Sequence, residues 1–229
     1  MLELKNICFE RDNKKILDNI NLKLEKGNVY VLTGANGSGK STLAKIIMGI
    51  LNQDKGTIKL DKTDISNMSI DERANLGLAY SFQNPVKFKG ITVCDLLRIA
   101  SPKYLLRDEV LDILSDVGLE SNLYIDREVN DSLSGGELKR IEIASVMLRE
   151  CKVCIFDEPE AGIDLWSFNN LVNLFKKLKE NNDGITLIIS HQEKLFKIAD
   201  KIILMNNGKI LGIGNKDEMK SFLDGDTNE

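Results

Sequence analysis

The chain has 229 residues, with 31 Lys and Arg against 35 Asp and Glu and a formal net charge of −4. This balance excludes the strongly basic surface that nucleic acid binding requires, while the length permits a substantial buried core. The longest apolar runs, such as 153–156, 187–189 and 202–205, are far shorter than the roughly 20 residues that cross a bilayer, so direct membrane insertion is not expected.

The first quarter of the chain has the pattern of strands leading into a glycine-rich turn. Alternating apolar and polar residues predict strands over 2–9 and around 20–24, and an apolar run predicts a third over 29–33. The chain enters this pattern without the basic and apolar segments of a secretory signal, which favours a cytoplasmic location. A helix is predicted from Lys40 to about Ile50, followed by a short strand over 56–60.

The rest of the chain predicts a helical insertion within an alternating strand–helix core. The segment from about Asn84 to Met147 has mostly helical periodicity, and one of its helices is expected to end at Gly118. The final third alternates strand and helix, which predicts a parallel sheet with helices on its faces. Its predicted elements are strands over 153–156, 186–190 and 201–205, a helix near 166–179, and a hairpin at Asn207-Gly208 leading into 209–213.

Cys151 and Cys154 form a Cys-x-x-Cys pair, a spacing that also occurs in redox and metal sites. They lie in an apolar run that is predicted to be a strand, where residues three apart point to opposite faces. The four cysteines of the chain are too few and scattered for a disulfide framework. We therefore favour a structural role for this pair.

A phosphate-binding loop lies between the strand 29–33 and the next helix. Its residues are Gly34, Ala35, Asn36, Gly37, Ser38, Gly39, Lys40 and Ser41. The glycines let backbone N–H groups converge on phosphate oxygens at a helix N-terminus, where the helix dipole favours anions. We expect Lys40 to reach the β- and γ-phosphates of a nucleotide, Ser41 to ligate Mg²⁺ and Thr42 to bond the α-phosphate. The alternative is a glycine-rich surface loop, which the flanking strand and helix disfavour.

Two carboxylates end the apolar strand near residue 156. Because parallel strands share a carboxyl edge, Asp157 and Glu158 are expected beside the phosphates. Asp157 is predicted to hold Mg²⁺, directly or through water. Glu158 is predicted to orient and deprotonate the water that attacks the γ-phosphate. Two acids after a strand can also be a solvated turn, so this prediction depends on the phosphate-binding loop.

The residues Leu133-Ser134-Gly135-Gly136-Glu137 resemble the signature of the ABC ATPases. Further motifs of that family follow in the expected order: Gln83 is similar to the Q-loop glutamine, 161–164 to the D-loop and His191 to the H-loop histidine. The resemblance covers nearly the whole chain. It implies a single α/β domain over 1–229, with a phosphate-loop NTPase core of ABC type and an antiparallel β subdomain in 1–83 and 148–223, an inserted helical subdomain in 84–147, and a flexible tail over 224–229.

The same resemblance implies a shared nucleotide site. Ser134 and the N–H groups of Gly135 and Gly136 would face the γ-phosphate held by a second chain, so that ATP joins a head-to-tail homodimer. Gln83 would engage Mg²⁺ and the γ-phosphate, and His191 would contact the γ-phosphate. Asp164, in the D-loop, would lie at the nucleotide near the dimer seam. A lone histidine after a strand is otherwise often structural.

Two positions depart from the usual pattern of the family. Arg11 stands where many ABC ATPases have an aromatic ring that stacks on adenine. Its guanidinium can stack on the base, or it can be a solvated turn residue. Glu160 stands where transporter ATPases commonly have Thr or Ser, which adds negative charge near the dimer seam.

The stretch Phe82-Gln83-Asn84-Pro85-Val86, with Gly90 further on, is similar to the SufC type of ABC ATPase, which serves iron–sulfur cluster assembly. Residues 160–164 are also similar to that type, which implies a soluble SufB-like scaffold as partner. The alternative is the ATP-binding subunit of a membrane transporter, which 198–210 resembles. Intact Lys40, Asp157, Glu158 and His191 argue against a non-hydrolysing regulatory cassette.

The loop from Pro85 to Gly90 is a candidate coupling surface. Val86 and Phe88 alternate with Lys87 and Lys89, which can present apolar anchors with a basic fringe. A partner that grips this loop would be moved as Gln83 engages the nucleotide. The alternative is that Phe88 packs beneath the helical subdomain.

Overall fold

The computed structural model describes residues 1–181 and 183–225, which contain two β-sheets and nine helices. The strands are β1 (Leu2–Arg11), β2 (Lys14–Leu24), β3 (Val29–Thr33), β4 (Lys55–Leu60), β5 (Thr63–Asp64), β6 (Leu78–Ser81), β7 (Val153–Asp157), β8 (Ile185–Ile189), β9 (Lys201–Asn206) and β10 (Lys209–Gly214). The helices are α1 (Lys40–Met48), α2 (Ile70–Asn75), α3 (Val93–Ala100), α4 (Arg107–Asp116), α5 (Ser121–Tyr124), α6 (Gly135–Met147), α7 (Leu165–Asn181), α8 (Glu193–Phe196) and α9 (Lys216–Gly225).

The larger sheet has the order β10-β9-β3-β8-β7-β6. Its five strands from β9 to β6 are parallel, and β10 joins β9 as an antiparallel hairpin. Every residue of β3, β6, β7 and β8 is buried, because helices or the smaller sheet cover both faces. The carboxyl ends of β3, β6, β7 and β8 therefore meet at one edge, which the parallel-sheet prediction anticipated.

The smaller sheet is antiparallel, with the order β2-β1-β4-β5. Alternate side chains of β1 and β2, including Leu2, Leu4 and Leu22, are buried in one core with Leu43 and Ile47 of α1. The two sheets thus enclose α1, the helix that carries the phosphate-binding loop. The predicted α/β fold with an antiparallel β subdomain is confirmed.

Helices α3 to α6 lie between β6 and β7 in the chain. Thr92 and Ser134 cap α3 and α6 with capping boxes, since each hydroxyl accepts a bond from the N–H three residues on. Gly118 follows α4 with φ of 75°, a conformation that favours glycine and ends the helix as expected. The buried side chains of these helices form one core with side chains on the face of the larger sheet that lies opposite α1.

A buried arginine holds the far end of α1. The Arg73 side chain of α2 is 0% exposed, and it donates to the carbonyls of Ile46 (2.6 Å) and Ile47 (2.8 Å) at the end of α1. It also donates to the carbonyls of Ser66 and Met68, each at 3.0 Å. These bonds satisfy carbonyls that a helix end leaves open and place a cation at the negative end of the α1 dipole.

The cysteine pair corrects one prediction. Cys151 lies before β7 rather than within it, so alternation along a strand does not separate it from Cys154. Both thiols are buried in the same core, where their interaction lowers the pKa of Cys151, and the same interaction together with burial raises the pKa of Cys154. Their burial agrees with a structural role.

Two further features complete the fold. Of the tail predicted over 224–229, residues 224–225 end α9 and 226–229 lie outside the described residues. Across the described ranges 1–181 and 183–225, none of the helices combines the length and hydrophobicity that crossing a bilayer needs.

Candidate functional site

The phosphate-binding loop curls between β3 and α1 as predicted. Gly34 has φ of 135°, and a Cβ there would lie 1.8 Å from the Met205 carbonyl oxygen, so only glycine fits. Gly39, with φ of 102°, is the N-cap of α1 and supplies no side-chain cap, and α1 has no acid in its first turn. The N–H groups at this helix N-terminus are therefore suited to an anion.

Lys40 lies inside the loop. It is 5% exposed, and its Nζ donates to the carbonyls of Gly34 (2.6 Å) and Ala35 (3.0 Å). Burial lowers its pKa, while Glu158 and Asp157 oppose that shift.

The hydroxyl of Ser38 is buried without a hydrogen-bond partner within the described residues. Asn36 and Gly37 are exposed and Thr42 is half-buried at the start of α1. A buried cation and an unpartnered hydroxyl in one cradle fit a phosphate group.

Asp157 ends β7 and contacts the start of α1. The Ser41 Oγ donates to Asp157 Oδ1 at 2.9 Å, and the Tyr80 hydroxyl donates to Oδ2 at 2.6 Å. Asp157 is 1% exposed. A hydroxyl and a carboxylate at this distance are hard oxygen donors of the kind that Mg²⁺ prefers. Ser41 and Asp157, predicted as metal ligands from two distant motifs, thus lie together, and Tyr80 is a partner of Asp157 that the sequence analysis missed.

Glu158 follows in a strained backbone conformation. Its φ of 46° lies in the left-handed region, which is uncommon for residues other than glycine and often marks a functional position. Gln83, just after β6, donates from Nε2 to Glu158 Oε2 at 2.6 Å. The structure therefore brings together the predicted base and the Q-loop glutamine.

His191 follows β8 at the same edge of the sheet. Partial burial lowers its pKa, the Lys40 cation lowers it further, and the Glu158 carboxylate acts in the opposite direction. These two influences place His191 within electrostatic range of both groups. His191 is only partly buried, so a ligand at this edge can reach its imidazole.

A buried ion pair on α6 holds the ends of β6 and β7. Lys139 is 0% exposed, and its Nζ donates to the Phe82 carbonyl and, at 3.3 Å, to the Asp157 carbonyl. Its Nζ lies 3.6 Å from Glu142 Oε2. Glu142 accepts from the Phe82 N–H and the Ser81 hydroxyl, both at 3.0 Å. Burial lowers the pKa of Lys139 and raises that of Glu142. This pair supports the backbone just before Gln83 and Glu158.

Glu160 contacts the loop that carries His191. Its Oε1 accepts from the Ser190 hydroxyl at 2.5 Å, and the same hydroxyl accepts from the Gln192 N–H at 3.0 Å. Burial raises the pKa of Glu160. The carboxylate that the sequence analysis placed near the dimer seam thus points inward, toward the H-loop.

The signature residues are presented at the surface. Ser134 and Gly135 are exposed, and in the described part of the chain the hydrogen bonds of Ser134 stay within the first turn of α6. A Cβ on Gly136 would lie 2.6 Å from the Gly162 carbonyl oxygen, so the signature and the D-loop are adjacent. Asp164 accepts from the Ser167 N–H at 2.9 Å at the start of α7.

Arg11 ends β1 opposite Lys14 and is exposed. The next two residues, Asp12 and Asn13, have φ of 52° and 59° and form the tight turn to β2. Stacking on a base and simple solvation both remain compatible with this position.

Known proteins resemble this chain in sequence and in structure. The model of the family described as ABC transporter matches residues 17–161. An uncharacterized ABC transporter ATP-binding protein of Methanocaldococcus jannaschii is 36% identical over 230 residues, covering 97% of this chain and 92% of the relative. It is not named as an iron–sulfur assembly ATPase, so the finer prediction of a SufC type stays a prediction.

Two solved structures share the fold. A nucleotide-free ATP-binding cassette from an ABC transporter matches with a TM-score of 0.82 and 28% identity, covering 98% of this chain and 95% of the other. A dimeric cassette in a post-hydrolysis state, bound to ADP and Pi, matches with a TM-score of 0.81 and 22% identity, over 94% and 98% of the two chains. The second likeness is one of fold alone. The chain therefore belongs to the ABC transporter family and is an ATP-binding cassette that hydrolyses ATP.

Proposed function

We propose that the chain hydrolyses Mg-ATP at the edge where β3, β7 and β8 end. The observation that carries the proposal is that Ser41 contacts Asp157 and Gln83 contacts Glu158, while Lys40 lies in the loop within electrostatic range of both carboxylates. Lys40, Ser38 and the loop N–H groups bind the phosphates, and Ser41 and Asp157, with Gln83, hold the metal. Bound Mg²⁺ neutralises phosphate charge. Glu158 takes the proton of the attacking water, and His191 contacts the γ-phosphate.

A second copy of the chain completes this site in our proposal. Ser134 and Gly135 open α6 at the surface, where their N–H groups can meet a phosphate held by another protomer. The dimeric cassette of the same fold supports a two-chain assembly. Two equivalent sites then form across a symmetric interface, each with Lys40 from one protomer and Ser134 from the other.

Mixing two inactive variants tests the shared site. Lys40→Ala and Ser134→Arg chains are each expected to lose hydrolysis, because each variant damages both sites of its homodimer. An equal mixture is expected to recover about a quarter of wild-type ATPase, since half of the dimers are mixed and each has one intact site. Phosphate release is the measurement. A mixture as inactive as its components, with mixed dimers demonstrated by tagged chains, contradicts the shared site.

The partner surface that we propose is an apolar cleft beside Gln83. The cleft has a volume of ≈ 290 Å³ and separates α1 and α2 from α3 and α6. Val86 and Phe88 line it and are 47% and 36% exposed, together with Ile99, which is 69% exposed. The Phe88 N–H donates to the Val129 carbonyl at 2.7 Å, which fixes the loop. Exposed apolar side chains around a cleft are typical of an interaction site, and disfavour the alternative that Phe88 is buried.

Two partners fit this proposal. The relative named as a transporter ATP-binding protein and the nucleotide-free cassette from an ABC transporter favour a membrane subunit as the partner. A soluble SufB-like scaffold in iron–sulfur cluster assembly is the second candidate, favoured by the sequence from Phe82 to Gly90 and by Glu160. Proteins that co-purify with the chain from its own cells separate the two, because one partner spans a membrane and the other does not.

Phe88→Asp is expected to abolish capture of that partner, because a charge would replace an apolar anchor in the cleft. The measurement is a pull-down with the partner identified by mass spectrometry. Leu123→Asp is the matched control, since Leu123 is another exposed apolar residue, 61% exposed, that does not line the cleft. Equal capture by wild type and Phe88→Asp contradicts the coupling surface, as does equal loss in both variants.

A further inference from the structure

Tyr80 connects the cleft to the metal-binding carboxylate through one side chain. It is the third residue of strand β6, shortly before Gln83, and its ring lines the cleft beside Phe82, at a centroid distance of 4.9 Å between the two rings. Its hydroxyl donates to Asp157 Oδ2 at 2.6 Å, and the tyrosine is 7% exposed. Burial and the neighbouring Asp157 raise the pKa of Tyr80, so it stays a neutral donor.

The second oxygen of the same carboxylate faces α1. Ser41 donates to Oδ1 at 2.9 Å, while Tyr80 occupies Oδ2. The tyrosine therefore fixes the rotation of the carboxylate, leaving Oδ1 toward the phosphate-binding loop. Because Asp157 is 1% exposed, water does not readily replace the tyrosine hydroxyl.

We infer that Tyr80 is a positioning residue for Asp157. By orienting this carboxylate, Tyr80 sets how much Mg²⁺ increases the affinity for nucleotide. The inference rests on the metal-binding role proposed above for Asp157. Partners that hydrogen-bond to a metal ligand orient it, and their loss typically weakens metal binding about 10- to 100-fold. The Tyr80 hydroxyl bonds to Asp157, whereas Lys40 bonds to loop carbonyls, so we expect nucleotide binding without metal to be independent of Tyr80.

The test compares nucleotide affinity with and without metal. A fluorescent, non-hydrolysable ATP analogue is titrated into Tyr80→Phe and wild type, once with Mg²⁺ and once with EDTA. In EDTA the variant is expected to bind the analogue as tightly as wild type. The increase in affinity on adding Mg²⁺ is expected to be at least about ten-fold smaller in the variant than in wild type. A general folding defect would lower both affinities. An unchanged Mg²⁺ gain overturns the inference.

Two further variants separate this inference from the proposal beneath it. Tyr30→Phe is the matched control, because Tyr30 is also buried in the larger sheet but its hydroxyl accepts from the Glu25 N–H at 2.8 Å. Asp157→Asn is expected to abolish the Mg²⁺ gain, and adding Tyr80→Phe to it is expected to change nothing more. If Asp157→Asn keeps the gain, the metal role of Asp157 fails. If it loses the gain and Tyr80→Phe does not, only the positioning role fails.

Discussion

Glu158→Gln is expected to bind ATP with little loss and to hydrolyse it about 10²–10⁴-fold more slowly than wild type. The amide keeps the size of the side chain and an oxygen that accepts from Gln83, which lies 2.6 Å from Glu158 in the native chain. It cannot take a proton from water. Binding is preserved because Lys40 and the loop, rather than Glu158, contact the phosphates in the proposed mechanism.

The same variant is expected to accumulate as a two-chain species with Mg-ATP, because the nucleotide that joins the protomers is no longer consumed. Size-exclusion chromatography with Mg-ATP measures the dimer, and phosphate release measures turnover. Glu150→Gln is the control, since it makes the same change at an exposed carboxylate after α6. Wild-type turnover in Glu158→Gln would remove Glu158 from the role of general base.

Lys139→Met is expected to lower the free energy of unfolding by about 3–5 kcal/mol, the typical cost of breaking a buried ion pair. Lys139 is 0% exposed, and the change leaves Glu142, whose side chain is only 14% exposed, without its cation. The Phe82 and Asp157 carbonyls also lose a donor. Urea denaturation, with the slope compared between variants, measures the loss.

Two comparisons test the cause of that loss. Lys139→Met combined with Glu142→Gln is expected to be more stable than Lys139→Met alone, because the second change removes the uncompensated charge. Lys177→Met breaks an exposed ion pair with Asp116, 2.7 Å long, and is expected to cost less than about 1 kcal/mol. If Lys139→Met costs no more than Lys177→Met, the buried pair does not stabilise the site.

The local motifs were determined by the sequence alone. The glycine spacing of the phosphate-binding loop, with a strand before it and a helix after it, predicted both the position of Lys40 and the start of α1. The apolar run that ends in two acids predicted β7 and the position of Asp157. These predictions hold because φ preference, capping and hydrophobic periodicity act over a few neighbouring residues.

The strand β6 was missed because no element was assigned to residues 61–83, where its four residues lie. So short a run carries too little pattern to separate a buried strand from a helix. Its pairing with β7 supplies the hydrogen bonds that make it a strand. The prediction for Cys151 was wrong in the opposite way, because it placed this residue in a strand, whereas β7 begins only at Val153.

Tertiary structure alone decided which side chains support the site. Tyr80 meets Asp157 across 77 residues of sequence, and Arg73 meets Ile46 across 27. Lys139, on the signature helix, would be expected from the sequence to be exposed like most lysines, and it is instead fully buried. No local pattern encodes such contacts, because the partner of a buried polar group depends on how distant elements pack and on which carbonyls and carboxylates that packing leaves without water.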